Sequence, residues 1–252
     1  MQEPDLRRIE EVSLNALQTQ RQLFYDGWLL RVSPGKAKRG RSVTAHFGST
    51  LPLHAKIAYC ERLYRERELP TLFRITPFVV PADLDHTLEA RGYAAYETTL
   101  VQVAGLDRPP EAVPIDAALR AVPATEFVDA IGDLRQLTPT QRQAHLERMA
   151  ESPLRHRNVL AVRGADVLGC GQALLEDDIV GIYSMVTAEP ARGQGIATAI
   201  VARLLAWAWE RGATTSYLQV DASNAPAIAV YRKYEFTTRY TYHYRMRPEE
   251  LA

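Results

Sequence analysis

Val186-Thr187-Ala188-Glu189-Pro190-Ala191-Arg192-Gly193-Gln194-Gly195-Ile196-Ala197 joins an apolar, strand-like run to an amphipathic helix. Two glycines one residue apart let the backbone turn sharply and come close to a ligand. The first amides of the helix that follows have no intrahelical acceptor, and the positive end of the helix dipole lies there too. Together they form an anion site. Arg192 adds a full charge at the entrance, and Ala197 keeps the first helical turn small. A P-loop would place Lys and then Ser or Thr after the last glycine, where Ile196 and Ala197 stand. A dinucleotide fingerprint would need a third glycine where Thr198 stands. What remains is Arg-x-x-Gly-x-Ala, a loop built for a diphosphate of another kind.

Downstream, Ile196, Ile200, Leu204 and Trp207 recur at helical spacing, and Arg211-Gly212 forms a charged, glycine-capped stop, which predicts a helix from Ile196 to about Glu210. A strand follows over Ser216 to Val220. After the polar break Asp221-Ala222-Ser223-Asn224 comes a short helix with Pro226 in its first turn, running to about Lys233. Asn224 and Tyr231 stand seven residues apart. In this combination the chain resembles the GNAT superfamily of N-acetyltransferases, with Val230-Tyr231-Arg232-Lys233-Tyr234-Glu235-Phe236 similar to that family's Tyr-x-Lys-x-Gly-Phe ending. Glu235 departs from it by standing where Gly is usual. The resemblance covers roughly residues 114–247.

The resemblance implies acetyl-CoA as co-substrate, with its diphosphate on Arg192, Gly193, Gln194, Gly195, Ile196 and Ala197. It implies a pantetheine arm in a splay beside Ser184, Met185 and Val186, pairing with the backbone as a peptide adds to a sheet edge. It further implies Asn224 contacting the pantetheine and Tyr231 as the catalytic group near the thioester sulfur, protonating the departing thiolate. From the residues alone, Asn224 could equally cap the helix at Pro226, and Tyr231 could be a core tyrosine.

The base for the acceptor amine is open. Some family members that acetylate protein N-termini carry Glu in the fifth strand, where this chain has Gln219, and an amide cannot serve. Glu176, Asp177 and Asp178 fill a hairpin turn before the fourth strand and could act through water, although turns are the usual home of acids. His243 lies in the alternating segment Tyr240 to Arg245, which reads as a terminal strand. Thr138-Pro139-Thr140-Gln141 is a capping box opening a helix to about Ala150. In the family the segment before this helix walls the acceptor pocket, so Phe127, Leu134, Arg135 and Leu137 are candidate lining or core residues.

The expected fold class is α/β (α+β), a mixed central sheet flanked by helices in two tandem GNAT-like copies. The boundaries are 1–104 for a degenerate first domain, 105–113 for a linker, with three prolines in the six residues from Pro109 to Pro114, and 114–252 for the cofactor-binding domain. The halves share an order. A helix over 51–68, a strand over 72–75, a helix over 82–90 and a strand over 98–103 parallel the segments after Ile196. Phe73 to Tyr93 spans 20 residues and Leu218 to Phe236 spans 18. In the first half Phe47-Gly48-Ser49-Thr50-Leu51-Pro52-Leu53 stands where the phosphate loop should be and lacks the double glycine, so coenzyme A binding is expected only in the second half. The strand Gly27 to Val32, with Trp28 as core, precedes a basic loop, Gly35 to Ser42. That loop reads either as facing the substrate channel or the adenosine 3′-phosphate, or as a solvated hairpin tip.

Thirty basic and thirty acidic residues give a formal charge of zero, so no global field draws the chain to nucleic acid or to an anionic membrane. Two cysteines in different halves, no metal-ligand spacing, and no secretory or membrane run point to the cytoplasm and to chemistry without a metal. Cys170, between two glycines in an apolar strand, reads as a small core residue. Two function classes follow: an N-acetyltransferase acting on a primary amine of a small molecule, peptide or protein, or a non-catalytic acyl-CoA-binding or regulatory protein.

Overall fold

The computed structural model describes residues 5–17, 19 and 21–250. The chain runs α1 (Leu6–Asn15), β1 (Gln22–Tyr25), β2 (Trp28–Arg31), β3 (Val43–Ala45), α2 (Leu53–Arg65), β4 (Phe73–Ile75), α3 (Leu84–Ala90) and β5 (Ala94–Gly105). It continues through β6 (Ala118–Ala121), α4 (Ala124–Arg135), α5 (Pro139–Ala150), β7 (Arg155–Arg163), β8 (Asp166–Glu176) and β9 (Ile179–Thr187). Last come α6 (Ile196–Trp209), β10 (Thr215–Asp221), α7 (Ala225–Arg232) and β11 (Thr237–Met246). These elements pack as two compact units. One holds the described residues of Met1–Ala16 with Val101–Arg239, the other Leu17–Leu100 with the described residues of Tyr240–Ala252. The proline-rich segment from 105 follows the crossing at 100/101 by a few residues, whereas the crossings at 16/17 and 239/240 carry no linker composition.

In the larger unit the strand order is β5-β10-β9-β8-β7-β6. The pairs β6–β7, β7–β8 and β8–β9 are antiparallel, and β9–β10 is parallel because α6 forms the crossover. Ile196, Ala199, Ile200 and Leu204 of α6 are buried, and α6 packs on β7, β8 and β9. Phe127 and Ile131 of α4 close a second cluster with Leu160 and Cys170. α1 belongs to this unit, where Arg8 and Asn15 both bind Glu176.

In the smaller unit the order is β1-β2-β3-β4-β11, with β5 following. Again one parallel pair, β3–β4, flanks a crossover helix, α2. Trp28 is fully buried and meets Phe73 edge-on at 6.1 Å, within a core that includes Ile57, Tyr64, Leu84 and Tyr93. Arg245 of β11 is held by Asp85 at 2.7 Å and by the Tyr93 carbonyl at 3.1 Å. The basic loop is not a free hairpin tip. It winds into a single 3-10 turn over Lys38–Gly40, Gly40 and Ser42 are buried, and Lys38 pairs with Glu97 and lies 4.7 Å over the Tyr96 ring. Among the described residues no helix is long and apolar enough to cross a membrane.

Candidate functional site

The site is built on β9. Its parallel pairing with β10 runs from Thr215 opposite Ile179 to Leu218 opposite Ile182 and then stops, although β9 continues to Thr187 and β10 to Asp221. From Tyr183 and Gln219 onward no ladder pair joins the two strands, which leaves a slot where β9 backbone has no β10 partner. At the mouth of this slot β9 also changes register against β8. Cys170 faces Val186 and Gln172 faces Tyr183, so three steps on β9 match two on β8. The extra residue makes a β-bulge, and Ser184 within it adopts φ +55°. Gly171 makes this possible. A Cβ there would lie 2.4 Å from Met185 Sδ and 2.7 Å from Ile200 Cγ2, so only glycine leaves room for the bulged Met185 over α6.

Beyond β9 the chain makes a 3-10 turn over Glu189–Ala191 and enters α6 through Gly193 at φ +78° and Gly195 at φ +79°. These left-handed values are what the glycine spacing suggested. Gly195 is the N-cap, with no side chain satisfying the helix start. The first helical hydrogen bond is Ala199 N–H to Gly195 O at 2.9 Å. The amides of Gly193, Gln194, Gly195, Ile196, Ala197 and Thr198 meet no protein acceptor among the described residues. Arg192 is exposed and pairs loosely with Glu189 at 3.8 Å. Gln194 is clamped by Arg163 at 3.2 Å and by the Pro190 carbonyl at 2.9 Å. Ile196 is buried in the core, so only its backbone faces the loop.

Asn224 caps α7, its Oδ1 accepting from Ala227 N–H at 3.2 Å. The capping reading of this residue is therefore realised, and its side-chain nitrogen has no partner among the described residues. Seven residues make about two helical turns, which puts Tyr231 on the same face of α7 as Asn224. Tyr231 is 7 % exposed and meets Phe236 edge-on, while its hydroxyl has no hydrogen-bond partner among the described residues. Burial pushes its phenol up to about 12, and the nearby Arg135 guanidinium pulls against that rise. The group therefore holds its proton at neutral pH.

Among the proposed bases, the acids before β9 fall at the wrong end of the strand. Six residue steps of extended chain, roughly 20 Å, separate Asp178 from Ser184. Glu176 is bound by Arg8 at 2.7 Å and by Asn15, and Asp178 accepts from the Thr214 hydroxyl at 2.6 Å. These are anchors for α1 and β10 rather than catalytic groups. His243 lies in the smaller unit, 3.0 Å from Asp85. Gln219 stands one residue past the last β9–β10 pair.

Cys170 lies beneath the bulge, fully buried, its thiol 3.6 Å from the Ser184 carbonyl. Burial pushes that thiol up to about 12, as expected of a sulfur packed in the core. Phe127 is likewise core, and Leu134 and Leu137 are half-buried. Arg135 instead reaches from the end of α4 to the Met185 carbonyl at 3.3 Å.

A family model described as the probable histone acetyltransferase Rv0428c C-terminal region matches residues 4–245. The chain is 24% identical over 247 residues to the uncharacterized N-acetyltransferase YobR of Bacillus subtilis (strain 168), covering 96% of this chain and 99% of that protein. Among solved structures, a GCN5-related N-acetyltransferase from Kribbella flavida superposes with a TM-score of 0.68 at 14% identity, over 96% of this chain and 95% of that one. Another from Sphaerobacter thermophilus gives 0.60 at 19% identity, over 82% and 72%. A tandem GNAT protein from the clavulanic acid biosynthesis pathway gives 0.62 at 16% identity, over 77% and 68%. At these identities the structural likenesses establish the fold, a mixed α/β arrangement of the GNAT kind.

Proposed function

The chain belongs to the family of the probable histone acetyltransferase Rv0428c C-terminal region, acetyltransferases of the GNAT kind, and from that premise we propose that the larger unit moves an acetyl group from acetyl-CoA to a primary amine by direct transfer. The observation that carries this reading is the conjunction of the β9–β10 slot with six unpartnered amides at the start of α6. The residues fit the donor. The amides of 193–198 and the α6 dipole suit its diphosphate, with Arg192 free to close over it. The β9 backbone at Ser184, Met185 and Val186, beyond the last β10 pair, suits the pantetheine amides although the Met185 carbonyl already accepts from Arg135, and the Asn224 side-chain nitrogen has no partner among the described residues. When bound, the thioester supplies an activated acetyl group. Tyr231 holds a proton at its phenolic oxygen for the departing sulfur, an effect of order ~10²-fold at the low end of general-acid catalysis.

The unit arrangement suggests two tandem GNAT-like copies, each with a parallel strand-helix-strand crossover, of which only the larger keeps an open phosphate loop. Calorimetry with acetyl-CoA tests this directly, one site per chain being expected. A screen of primary amines followed by release of free thiol tests the reaction. Tight acetyl-CoA binding with no thiol release from any amine would favour a non-catalytic acyl-CoA sensor instead.

A further inference from the structure

Asn158 and Gln172 of the larger unit stand opposite each other on β7 and β8, and both are almost wholly buried, at 3 % and 5 % exposure. The direction of this amide pair is fixed from one end. The Val122 carbonyl can only accept, so Asn158 turns its Nδ2 toward it at 3.4 Å, and the Val122 N–H returns a bond of 3.1 Å to the Asn158 carbonyl. Asn158 Oδ1 then faces β8 and accepts from Gln172 Nε2 at 3.0 Å. That turns Gln172 Oε1 away from the pair, and it accepts no hydrogen bond among the described residues. A buried side-chain acceptor is rarely left so.

The oxygen lies on the side of the sheet that opens at the slot. A Cβ at Gly171 would point at Ile200 and Leu204 of α6, whereas Cys170 packs with Phe127 and Ile131 of α4, so Gln172 alternates back to the α4 face. Tyr183 stands opposite it on β9, immediately before the Ser184 bulge, and both residues are half-buried. The Tyr183 ring leans toward the start of the strand. A Cβ at Gly181 would lie 2.5 Å from Tyr183 Cε2 and 2.7 Å from Tyr217 Cζ, and the two tyrosine hydroxyls are hydrogen-bonded to each other. From Glu176 to Cys170 this face therefore presents Leu174, Gln172, Tyr183 and Tyr217, none of them an acidic or basic residue.

We propose that Gln172 Oε1 takes a hydrogen bond from an uncharged N–H or O–H carried beside the amine that is acetylated, so that the acceptor is an amine with a neutral donor a few bonds away. Gln172 stands on β8, one strand spacing or about 4.8 Å from the β9 backbone that borders the slot, which sets that short separation. An amide N–H and a hydroxyl offer the same chemistry, and the experiment tells them apart. Gln172 is then a specificity-determining residue, with Asn158 as the positioning residue behind it. The proposal rests on the acetyl-transfer reading above.

The test is kinetic. Aminoacyl amides, amino alcohols, alkylamines and free amino acids of matched length are compared as acceptors with acetyl-CoA by release of free thiol. In the wild type the amides or the alcohols should exceed the alkylamines in kcat/KM by about 10-fold, the worth of one hydrogen bond to a buried acceptor. Gln172→Met keeps the volume and removes the oxygen. It should cancel that advantage, chiefly through KM, while the alkylamines and the acetyl-CoA affinity stay unchanged. The class that loses its advantage identifies the donor as amide or hydroxyl. Gln172→Asn withdraws the amide by one methylene and should give the same loss, which keeps the test open where Gln172→Met fails to fold. Asn158→Leu releases the Gln172 amide to turn, and should give a smaller loss confined to the same class of acceptor. A wild type that prefers alkylamines or free amino acids, equal losses for every acceptor in a Gln172 variant, or a loss confined to kcat would overturn the proposal. Failure of the underlying reading would look different, because wild-type protein would then show no acetyl-CoA binding by calorimetry.

Discussion

Two loops, 192–198 in the larger unit and 48–52 in the smaller, each lead from a strand into the helix of a parallel crossover, and they treat their helix start in opposite ways. The first presents six amides with no acceptor. In the second, the amides of Thr50 and Leu51 donate to the Asp26 carboxylate at 2.8–3.0 Å, and the Thr50 hydroxyl adds a further bond of 2.8 Å. Asp26 reaches them from the β1–β2 hairpin, where Asp26 at φ +42° and Gly27 at φ +82° form the turn. A side chain at Gly27 would strike the Gly48 carbonyl at 2.2 Å. Behind the carboxylate, Lys56 is fully buried, its ammonium 2.5 Å from the Asp26 carbonyl and from the Ser49 hydroxyl and 4.2 Å from the Trp28 ring centre. A helix start needs an anion or a cap. In the smaller unit a carboxylate of its own chain occupies the loop just before α2, although Pro52 at the helix start carries no side-chain cap, while the larger unit leaves its loop open for a ligand.

The strongest way to break this contrast is to put an anion into the open loop. Gly195→Glu introduces a side chain at φ +79°, where an L residue costs about 1–2 kcal/mol, and adds a negative charge at the diphosphate position. Acetyl-CoA affinity should fall by more than ~100-fold. Unchanged affinity in a folded variant, measured by calorimetry, would remove the loop from the cofactor site.

Next in size is Tyr231→Phe, which keeps the ring and its packing on Phe236 and removes only the unpartnered hydroxyl. Turnover should drop by roughly 10- to 10³-fold with cofactor binding intact. Full turnover under conditions where chemistry limits the rate would make Tyr231 a core residue and leave the proton to solvent.

A milder and more diagnostic change is Asp26→Asn. The amides of Leu51 and Thr50, with Lys56, hold the Asp26 carboxyl well below the usual carboxylate range. A lowered folded pKa adds stability that is present above the ordinary carboxylate pKa and is lost as pH falls through the folded value. The wild type should therefore lose stability of its smaller unit only in acid. Asp26→Asn should show that loss at neutral pH and be flatter across the acid range, as followed by thermal melts at a series of pH values. Acetyl-CoA stoichiometry should stay at one. A second equivalent bound by this variant would show that the loop at 48–52 is merely plugged and still competent.

Much of the larger unit was legible in the sequence because its signals are local. The helix expected from Ile196 to about Glu210 ends at Trp209, the strand over 216–220 extends by one residue at each end, and the Thr138 capping box opens α5 with both of its hydrogen bonds. The Ser184 bulge was not legible, since a register change depends on the partner strand, and Gly169-Cys170-Gly171 reads locally as nothing more than a small-residue run. The length of β5 was also hidden. It was expected over 98–103 and spans Ala94–Gly105, because Ala94 and Ala95 carry little strand preference and Gly105 reads as a breaker. The Asp26 carboxylate at the 48–52 loop leaves no local signal in the sequence, because its partners lie 24 and 25 residues away.

The smallest expected effect probes how the open loop keeps its neighbouring slot. In Gly171→Ala the new methyl would sit against Met185 Sδ, the far end of a flexible side chain, and against Ile200 Cγ2, which α6 holds in place. Met185 can rotate away, but Ile200 cannot do so without shifting a helix that is buried along β8. Overpacking of this kind costs about 1–3 kcal/mol, which in a chain of this size lowers Tm by a few degrees per kcal/mol. Any relief has to come from the bulge, so acetyl-CoA affinity should weaken by a few-fold as Ser184 and Met185 move, with the amides at 193–198 untouched. A lowered Tm with unaltered affinity would mean that the bulge geometry is set elsewhere than at Gly171, and an unaltered Tm would mean that Met185 and Ile200 have room that the glycine does not need to provide.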